Sequence, residues 1–150
     1  MNDVNAIELL LVEDDPQDLE LALRALRKAG VSNRIRVARD GAEALDFIFC
    51  EGVFATRRIT DAPRVILLDL KLPKVDGLTV LRRLKADQRT RLIPVVVLTS
   101  SREQSDVVES YHLGVNSYIV KPVNFESFAK VVGDLGLYWL VLNQPPPLSE

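Results

Sequence analysis

The chain has too few cysteines for the disulfides of small secreted proteins, and it has no apolar run long enough to span a membrane. It has a single cysteine, Cys50, which excludes an internal disulfide and fits a reducing compartment. No apolar run approaches the roughly 20 residues that a membrane-spanning helix needs, and no charged-then-apolar leader opens the sequence. These absences together predict a cytoplasmic protein.

An excess of one charge is also missing. The 150 residues include 19 Lys and Arg against 21 Asp and Glu, so a net charge of −2 gives nucleic-acid binding no electrostatic support. The basic residues between Arg82 and Arg91 fit a solvated helix face better than a binding patch. With 47% apolar and 27% charged residues, the composition is that of one globular domain.

Strand and helix patterns alternate along the whole chain. Short apolar runs typical of buried strands occur at residues 8–12, 35–38, 65–68, 95–98 and 118–120, and each precedes a segment with apolar residues at helical spacing. Five such βα units predict a doubly wound, five-stranded parallel sheet with helices on both faces. We expect the flavodoxin-like strand order 2-1-3-4-5, which places the first strand beside the third.

The carboxyl-terminal region has two distinct patterns. Residues 1–142 are predicted to form one domain with an extended last helix, and residues 143–150 a disordered, proline-rich tail. The run 137–142 is apolar throughout, which exceeds one buried stripe, so at least one of Tyr138, Trp139 and Leu142 should face outward. These residues then form either an interface or a cover over the sheet edge of the same subunit.

Polar residues follow four of the predicted strands. Glu13 and Asp14 follow the first strand, Asp69 the third, Thr99 the fourth and Lys121 the fifth. Because the carboxyl ends of parallel strands share one edge of the sheet, these side chains are expected to converge on one pocket. Three carboxylates, a hydroxyl and an ammonium are the groups of a magnesium-assisted phosphoryl site.

The residue types fit the chemistry of such a site. A carboxylate and a phosphoryl group are both anionic, and a divalent cation held by neighbouring acids removes their repulsion. Lys121 and Thr99 can bind the remaining phosphoryl oxygens. Each residue alone has an ordinary explanation, such as a helix cap for Thr99 or a surface position for Lys121. Their combination at four strand ends is what predicts the site.

Five motifs together resemble the receiver domain of two-component response regulators over roughly residues 6 to 137. They are Leu10–Asp14, Leu67–Pro73, Asp76-Gly77, Leu98-Thr99 and Lys121-Pro122. The resemblance implies that a sensor histidine kinase transfers a phosphoryl group from its phosphohistidine to Asp69.

The resemblance also assigns roles to individual residues. It implies an Mg²⁺ cofactor bound by Asp14, Asp69 and the backbone carbonyl of Lys71, with Glu13 standing where an aspartate is usual. It implies that Thr99 contacts the phosphoryl group and that Lys121 pairs with it.

Two further features follow from the same resemblance. The bond from Lys121 to Pro122 is expected to be cis. Tyr118 matches the switch aromatic, which would follow Thr99 inward and remodel the face of helix 4, strand 5 and helix 5. Without the resemblance, Tyr118 is an ordinary strand aromatic.

A narrower resemblance rests on the connection from Cys50 to Pro63, on Tyr138-Trp139 and on the exit Asn143–Pro146. These features are similar to the single-domain regulators that accompany bacterial phytochrome kinases. The similarity implies a light-sensing histidine kinase as phosphodonor. It also implies a homodimer built on the helix 4–strand 5–helix 5 face.

Other functions are disfavoured or stay open. A phosphatase of the haloacid dehalogenase type needs an acid two residues after its nucleophile, where this chain has Lys71. A phosphodonor domain is disfavoured because the lone His112 precedes a Leu-Gly helix end. A receiver-like interaction module that works without phosphorylation, and a phosphate sink for the kinase, both remain open.

Overall fold

The computed structural model describes residues 7–31 and 34–148 of the chain. Strands and α-helices alternate through these residues, as the sequence pattern predicts. The strands are β1 (Leu9–Val12), β2 (Ile35–Ala38), β3 (Val65–Leu68), β4 (Val95–Thr99) and β5 (Ser117–Val120). The α-helices are α1 (Pro16–Lys28), α2 (Gly41–Ile48), α3 (Gly77–Ala86), α4 (Gln104–His112) and α5 (Phe125–Leu137). No helix in this described part is both long and apolar enough to cross a membrane.

The five strands form one parallel sheet in the order β2-β1-β3-β4-β5, which confirms the predicted flavodoxin-like topology. β1 lies between β2 and β3, and Leu9 pairs with Ile35 on one side and with Val65 on the other. Because the connection from β1 runs to one side and that from β3 to the other, their loops diverge. This divergence leaves a crevice at the carboxyl edge of the sheet.

Helices cover both faces of the sheet, because alternate strand residues point to opposite sides. α1 and α5 bury one face against residues such as Leu9, Leu67 and Val96. α2 and α3 bury the other, against residues such as Leu10 and Ile66. Each fully buried aliphatic side chain contributes roughly 1.5–3 kcal/mol relative to exposure.

Helix α4 is anchored less firmly than its neighbours. Ser110 is its only buried residue, whereas four residues of α1 and four of α3 are buried. Few buried apolar contacts mean that a small free energy suffices to displace an element. α4 is therefore the helix that a change at the carboxyl edge can move most easily.

Side-chain caps fix where the other four helices begin. Asp15, Asp40, Asp76 and Asn124 each accept a hydrogen bond from a backbone N–H of the first turn. Each cap lies in the loop that follows a strand, so the helix starts are held at the carboxyl edge. α4 begins at Gln104, and its N-cap residue Glu103 makes no side-chain cap hydrogen bond.

The last α-helix ends at Leu137, and the chain continues to Leu142 in a different helical form. Residues Tyr138–Leu142 make a wider π-helical turn, closed by a 2.7 Å hydrogen bond from the Asn143 N–H to the Tyr138 carbonyl. Trp139 packs against the core between α1, α5 and the sheet. Tyr138 is 49% exposed and Leu142 74%, which confirms that part of this apolar run faces outward.

The predicted disorder of the tail is wrong for residues 143–148. Leu148 packs against the core, and Pro145 and Pro146 lie over Pro63 and the chain leading into β4. An extended proline-rich segment loses little conformational entropy when it is ordered, so the packing of Leu148 can hold it against the domain. The final two residues of the predicted tail, 149–150, lie outside the described part of the chain.

Candidate functional site

Three carboxylates meet at the carboxyl edge of the sheet. Glu13 and Asp14 follow β1 and Asp69 follows β3, and one oxygen from each lies within 4.8 Å of the others. Glu13 and Asp69 are buried, whereas Asp14 is exposed. A set of three carboxylate oxygens with one side open to solvent suits a hard divalent cation that keeps part of its water shell.

The ammonium group of Lys121 closes the buried side of this cluster. Its Nζ lies 2.5 Å from Glu13 Oε1, 2.8 Å from Asp18 Oδ2 and 3.1 Å from Asp69 Oδ2. A lysine ammonium has three hydrogens to donate, so these contacts use all of them. Asp18 belongs to the first turn of α1 and is the one member of this arrangement that the sequence analysis did not identify.

Burial and pairing set the charge state of the cluster. Burial raises the pKa of Glu13 to about 7, although the hydrogen bond from Lys121 opposes the rise. Burial alone would lower the pKa of Lys121, but hydrogen bonds to Asp18 and Glu13 and the charge of Asp69 raise it above its ordinary value. Lys121 is therefore cationic at every physiological pH, while Glu13 exchanges a proton near neutrality.

The loop after Asp69 is shaped by a short turn and a glycine. The Lys71 N–H donates to Asp69 Oδ1 at 3.3 Å, and the Gly77 N–H donates to the Leu70 carbonyl at 2.9 Å. A Cβ at Gly77 would lie 2.3 Å from the Asp69 carbonyl oxygen, so only glycine lets α3 approach the loop this closely.

A groove of about 460 Å³ opens beside the carboxylates. Asp14 and Lys71 line it next to the site, and Leu72, Asp76 and Asp106 line the rest with their neighbours. The groove therefore reaches the acidic cluster at Asp14, whereas Lys121 contacts Asp69. The predicted metal ligand Lys71 lies on this open side.

Thr99 ends β4 and is fully buried. Its hydroxyl accepts a 3.3 Å hydrogen bond from the Ser101 N–H, and its carbonyl accepts one from the Lys121 N–H at 2.7 Å. The Tyr118 hydroxyl donates to the Ser101 carbonyl at 3.0 Å, so Thr99 and Tyr118 hold the same short segment. Burial raises the pKa of the Tyr118 hydroxyl, which keeps it protonated as a donor.

This segment is also connected to α4. The Ser101 hydroxyl donates to Asp106 Oδ2 at 2.6 Å, and Lys71 Nζ lies 3.8 Å from the same oxygen. Ser101 and Lys71, which lie beside the acidic cluster, therefore both contact α4 through the side chain of Asp106. Asp106 carries no sequence signal beyond its place in the first turn of α4.

The predicted cis bond before Pro122 is wrong for this structure. No peptide bond among the described residues is cis, so the bond from Lys121 to Pro122 is trans. Trans is the lower-energy isomer of such bonds by about 0.5–1 kcal/mol. Lys121 reaches all three of its carboxylate partners from this trans arrangement.

Comparisons with known proteins agree with this geometry. A family model described as "Response regulator receiver domain" matches residues 9–133. The probable methanogenesis regulatory protein FilR2 of Methanothrix harundinacea is 44% identical over 139 residues, which cover 92% of this chain and 86% of FilR2.

The response regulator Rcp1 of Synechocystis is 38% identical over 132 residues, which cover 88% of each chain. The structure of its Mn²⁺-bound form is similar with a TM-score of 0.86, covering 93% of this chain and 99% of that one. The bacteriophytochrome response regulator RtBRR is 57% identical with a TM-score of 0.74, covering 94% of this chain and 84% of that one.

The family match spans most of the chain, and the fold and acidic cluster are those expected of a receiver domain. Receiver domains bind a divalent metal, and the carboxylates of Glu13, Asp14 and Asp69 fit one. The chain belongs to the response-regulator receiver family, the phosphoacceptor domains of two-component signalling.

Proposed function

We propose that Asp69 is the phosphoacceptor and takes its phosphoryl group from a phosphohistidine of a sensor histidine kinase in an Mg²⁺-dependent reaction. The observation that carries the proposal is the placement of Asp69. It is a buried carboxylate at the end of β3 that lies beside Glu13 and Asp14 and forms an ion pair with Lys121. A buried acid in such a setting is a reactive group rather than a solvated one.

The transfer replaces one bond by another at phosphorus. A carboxylate oxygen of Asp69 forms the new P–O bond, the P–N bond of the phosphohistidine breaks, and the histidine leaves as imidazole. Mg²⁺ held by Glu13, Asp14, Asp69 and the Lys71 carbonyl would offset the negative charge of the transferring group.

The other residues of the site bind the product. Lys121 shifts from the Asp69 carboxylate to a phosphoryl oxygen and keeps its charge throughout, because its pKa is raised. Thr99 donates its hydroxyl to a second oxygen. The domain promotes its own phosphorylation and dephosphorylation and has no other substrate in this proposal.

Phosphorylation would be read out through α4. When the Thr99 hydroxyl turns toward the phosphoryl group, the Ser101 N–H loses its acceptor. Tyr118 and Asp106, which are bonded to Ser101, then repack. The α4–β5–α5 face changes shape as a result, because α4 has only one buried residue to hold it.

The proposed partners are supported by the relatives and by the exposed turn that follows α5. The 57% identity to RtBRR supports a bacterial phytochrome kinase as the light-sensing phosphodonor. Exposed Tyr138 and Leu142, with Trp139 beneath them, support a homodimer formed through the α4–β5–α5 face. Receiver domains usually act in the cytoplasm, and we propose that location here.

Intact mass after incubation with Mg²⁺ and acetyl phosphate tests the phosphoacceptor. Wild type should gain one labile phosphoryl adduct, which Asp69→Asn or EDTA should abolish. Asp76→Asn is the matched control, because it changes an aspartate at the rim of the same groove and keeps a good helix cap. An unaltered adduct in Asp69→Asn, or no adduct on folded wild type, would contradict the proposal.

Sedimentation of Leu142→Asp against wild type tests the homodimer. A charge on the exposed apolar turn should convert the dimer to monomer. Val53→Asp is the control, because Val53 is 89% exposed but lies in the short 3₁₀ helix Gly52–Phe54, away from α5. Equal sedimentation of wild type and Leu142→Asp would exclude this face as the interface.

A further inference from the structure

We infer that Asp18 is a positioning residue that holds the ammonium of Lys121 beside Asp69 during phosphoryl transfer. The inference deepens the proposed function and rests on it, since it assumes that Asp69 is the phosphoacceptor. It starts from the 2.8 Å contact between Asp18 Oδ2 and Lys121 Nζ, which joins α1 to the loop after β5.

The local structure of α1 explains why Asp18 is available for this contact. An acidic residue three positions after the helix cap commonly reaches back to the backbone N–H of the capping residue. Here Glu13 Oε2 accepts that N–H, from Asp15, at 3.2 Å. The Asp15 side chain in turn accepts the N–H groups of Gln17 and Asp18. The carboxylate of Asp18 is thus not needed at the helix start and turns toward Lys121.

Asp18 differs from the other two partners of Lys121 because it neither belongs to the metal-binding carboxylates nor receives the phosphoryl group. Glu13 and Asp69 belong to the carboxylate group that can hold a cation, and Asp69 also receives the phosphoryl group. Asp18 is not a member of that group, and its side chain is 30% exposed. Its contact with Lys121 is therefore the one that phosphorylation leaves intact.

The contact matters because a lysine side chain is flexible. Its four-carbon stem leaves the ammonium free to take many positions unless partners fix it. When Glu13 and Asp69 turn to other partners, Asp18 keeps Nζ about where it now lies, 3.1 Å from Asp69. The ammonium is then already in position to bind the incoming phosphoryl oxygen. This orientation raises the rate of phosphoryl transfer rather than the affinity for the phosphodonor.

The rate of acetyl phosphate labelling at saturating Mg²⁺ tests this role. Asp18→Ala should slow labelling about tenfold, less than the roughly 100-fold that a misplacement of about 1 Å can cause, because two other carboxylates still contact Lys121. Asp18→Glu, which restores a carboxylate, should recover most of the rate. Glu20→Ala is the matched control, since Glu20 lies on the same helix and, within the residues that the structure describes, pairs only with exposed Arg24. Equal rates for wild type and Asp18→Ala, or a faster variant, would overturn the inference.

A second arm separates positioning from a general effect on the fold. In a Lys121→Met background, Asp18→Ala should cause no further loss of rate, because the residue acts through Lys121. The same tenfold loss in both backgrounds would contradict the inference. If wild type is labelled and Asp18→Ala is labelled at the same rate, only the role of Asp18 is refuted. If wild type is not labelled at all, the proposed function itself is refuted.

A third readout needs neither metal nor phosphodonor. In ¹⁵N-lysine-labelled protein without metal, three hydrogen bonds should protect the Lys121 ammonium from exchange and make its N–H signal visible. Asp18→Ala should broaden or abolish that signal, and Glu20→Ala should leave it unchanged. A protected Lys121 signal in Asp18→Ala would show that Asp18 does not hold the ammonium.

Discussion

Two lysines, Lys121 with a buried side chain and the half-buried Lys85, lie at opposite edges of the sheet and are held in different ways. At the carboxyl edge, Lys121 contacts the carboxylates of Glu13, Asp18 and Asp69. At the amino edge, Lys85 at the end of α3 donates to the backbone carbonyls of Arg91 and Ile93, each at 2.9 Å. Both ammonium groups are satisfied, but only Lys121 has anionic partners.

The pKa values of the two lysines therefore move in opposite directions. Burial lowers the pKa of Lys85 to about 8, because two neutral carbonyls do not offset the lost hydration of a charge. The partners of Lys121 reverse the same effect and raise its pKa. At the carboxyl edge the carboxylates therefore stabilise the charged form of Lys121. At the amino edge Lys85 holds the loop of Arg91 and Ile93 through hydrogen bonds to neutral carbonyls, which do not stabilise its charge as strongly.

Lys121→Met should have the largest effect, because it leaves buried carboxylates without a cation. We expect a loss of about 3–5 kcal/mol in the free energy of unfolding near pH 8 without metal. Mg²⁺ should restore part of the loss by replacing the missing positive charge. Urea unfolding with and without Mg²⁺ measures both. Lys130→Met is the control and should change nothing, because it breaks an exposed i,i+4 pair with Asp134.

A loss in Lys121→Met as small as that in the control would mean that the carboxylates relax into solvent once the cation is gone. An equal loss with and without Mg²⁺ would mean that the cluster does not hold the ion.

Glu13→Gln should change how the stability of the metal-free protein depends on pH. The folded pKa of Glu13, about 7, lies above its unfolded value of 4.5, so the folded state binds more protons between them. The Glu13 contribution is present below pH 4.5 and is lost as the pH rises to 7, by about 3 kcal/mol. Urea unfolding across this range should show a flatter profile for Glu13→Gln. Parallel profiles would contradict the raised pKa.

Lys85→Met should have the smallest effect and the opposite slope. The folded pKa of Lys85, about 8, lies below its unfolded value of 10.5, so the unfolded state binds more protons between them. Wild type should gain about 1 kcal/mol relative to Lys85→Met as the pH rises above 8, since partial exposure screens the charge. Thermal unfolding of both proteins against pH measures the difference. A constant difference would show that Lys85 is not desolvated.

Much of the fold was predictable because its signals are local. Apolar runs, helical spacing and helix caps such as Asp15 and Asn124 lie within a few residues of one another. Right-handed βα crossovers predicted a doubly wound sheet, and the strand order was expected from the flavodoxin-like arrangement common among such sheets. The convergence of Glu13, Asp14 and Asp69 then followed from the shared edge of parallel strands.

The features that were missed depend on contacts between distant elements. Asp18 is an ordinary first-turn acid in the sequence, and only the packing of α1 beside the loop after β5 makes it a partner of Lys121. The tail was mispredicted because its seat for Leu148 is made by other parts of the chain. The isomer of the bond before Pro122 was taken from a resemblance and has no local signal.

The pair formed by Lys121 and Glu13 joins residues that are 108 positions apart. Closing so long a segment is slow and becomes favourable only when the intervening strands are already paired. During synthesis, the first two acids emerge long before their lysine does. A nascent or partly folded chain thus lacks a complete site and cannot draw phosphoryl groups away from the signalling pathway.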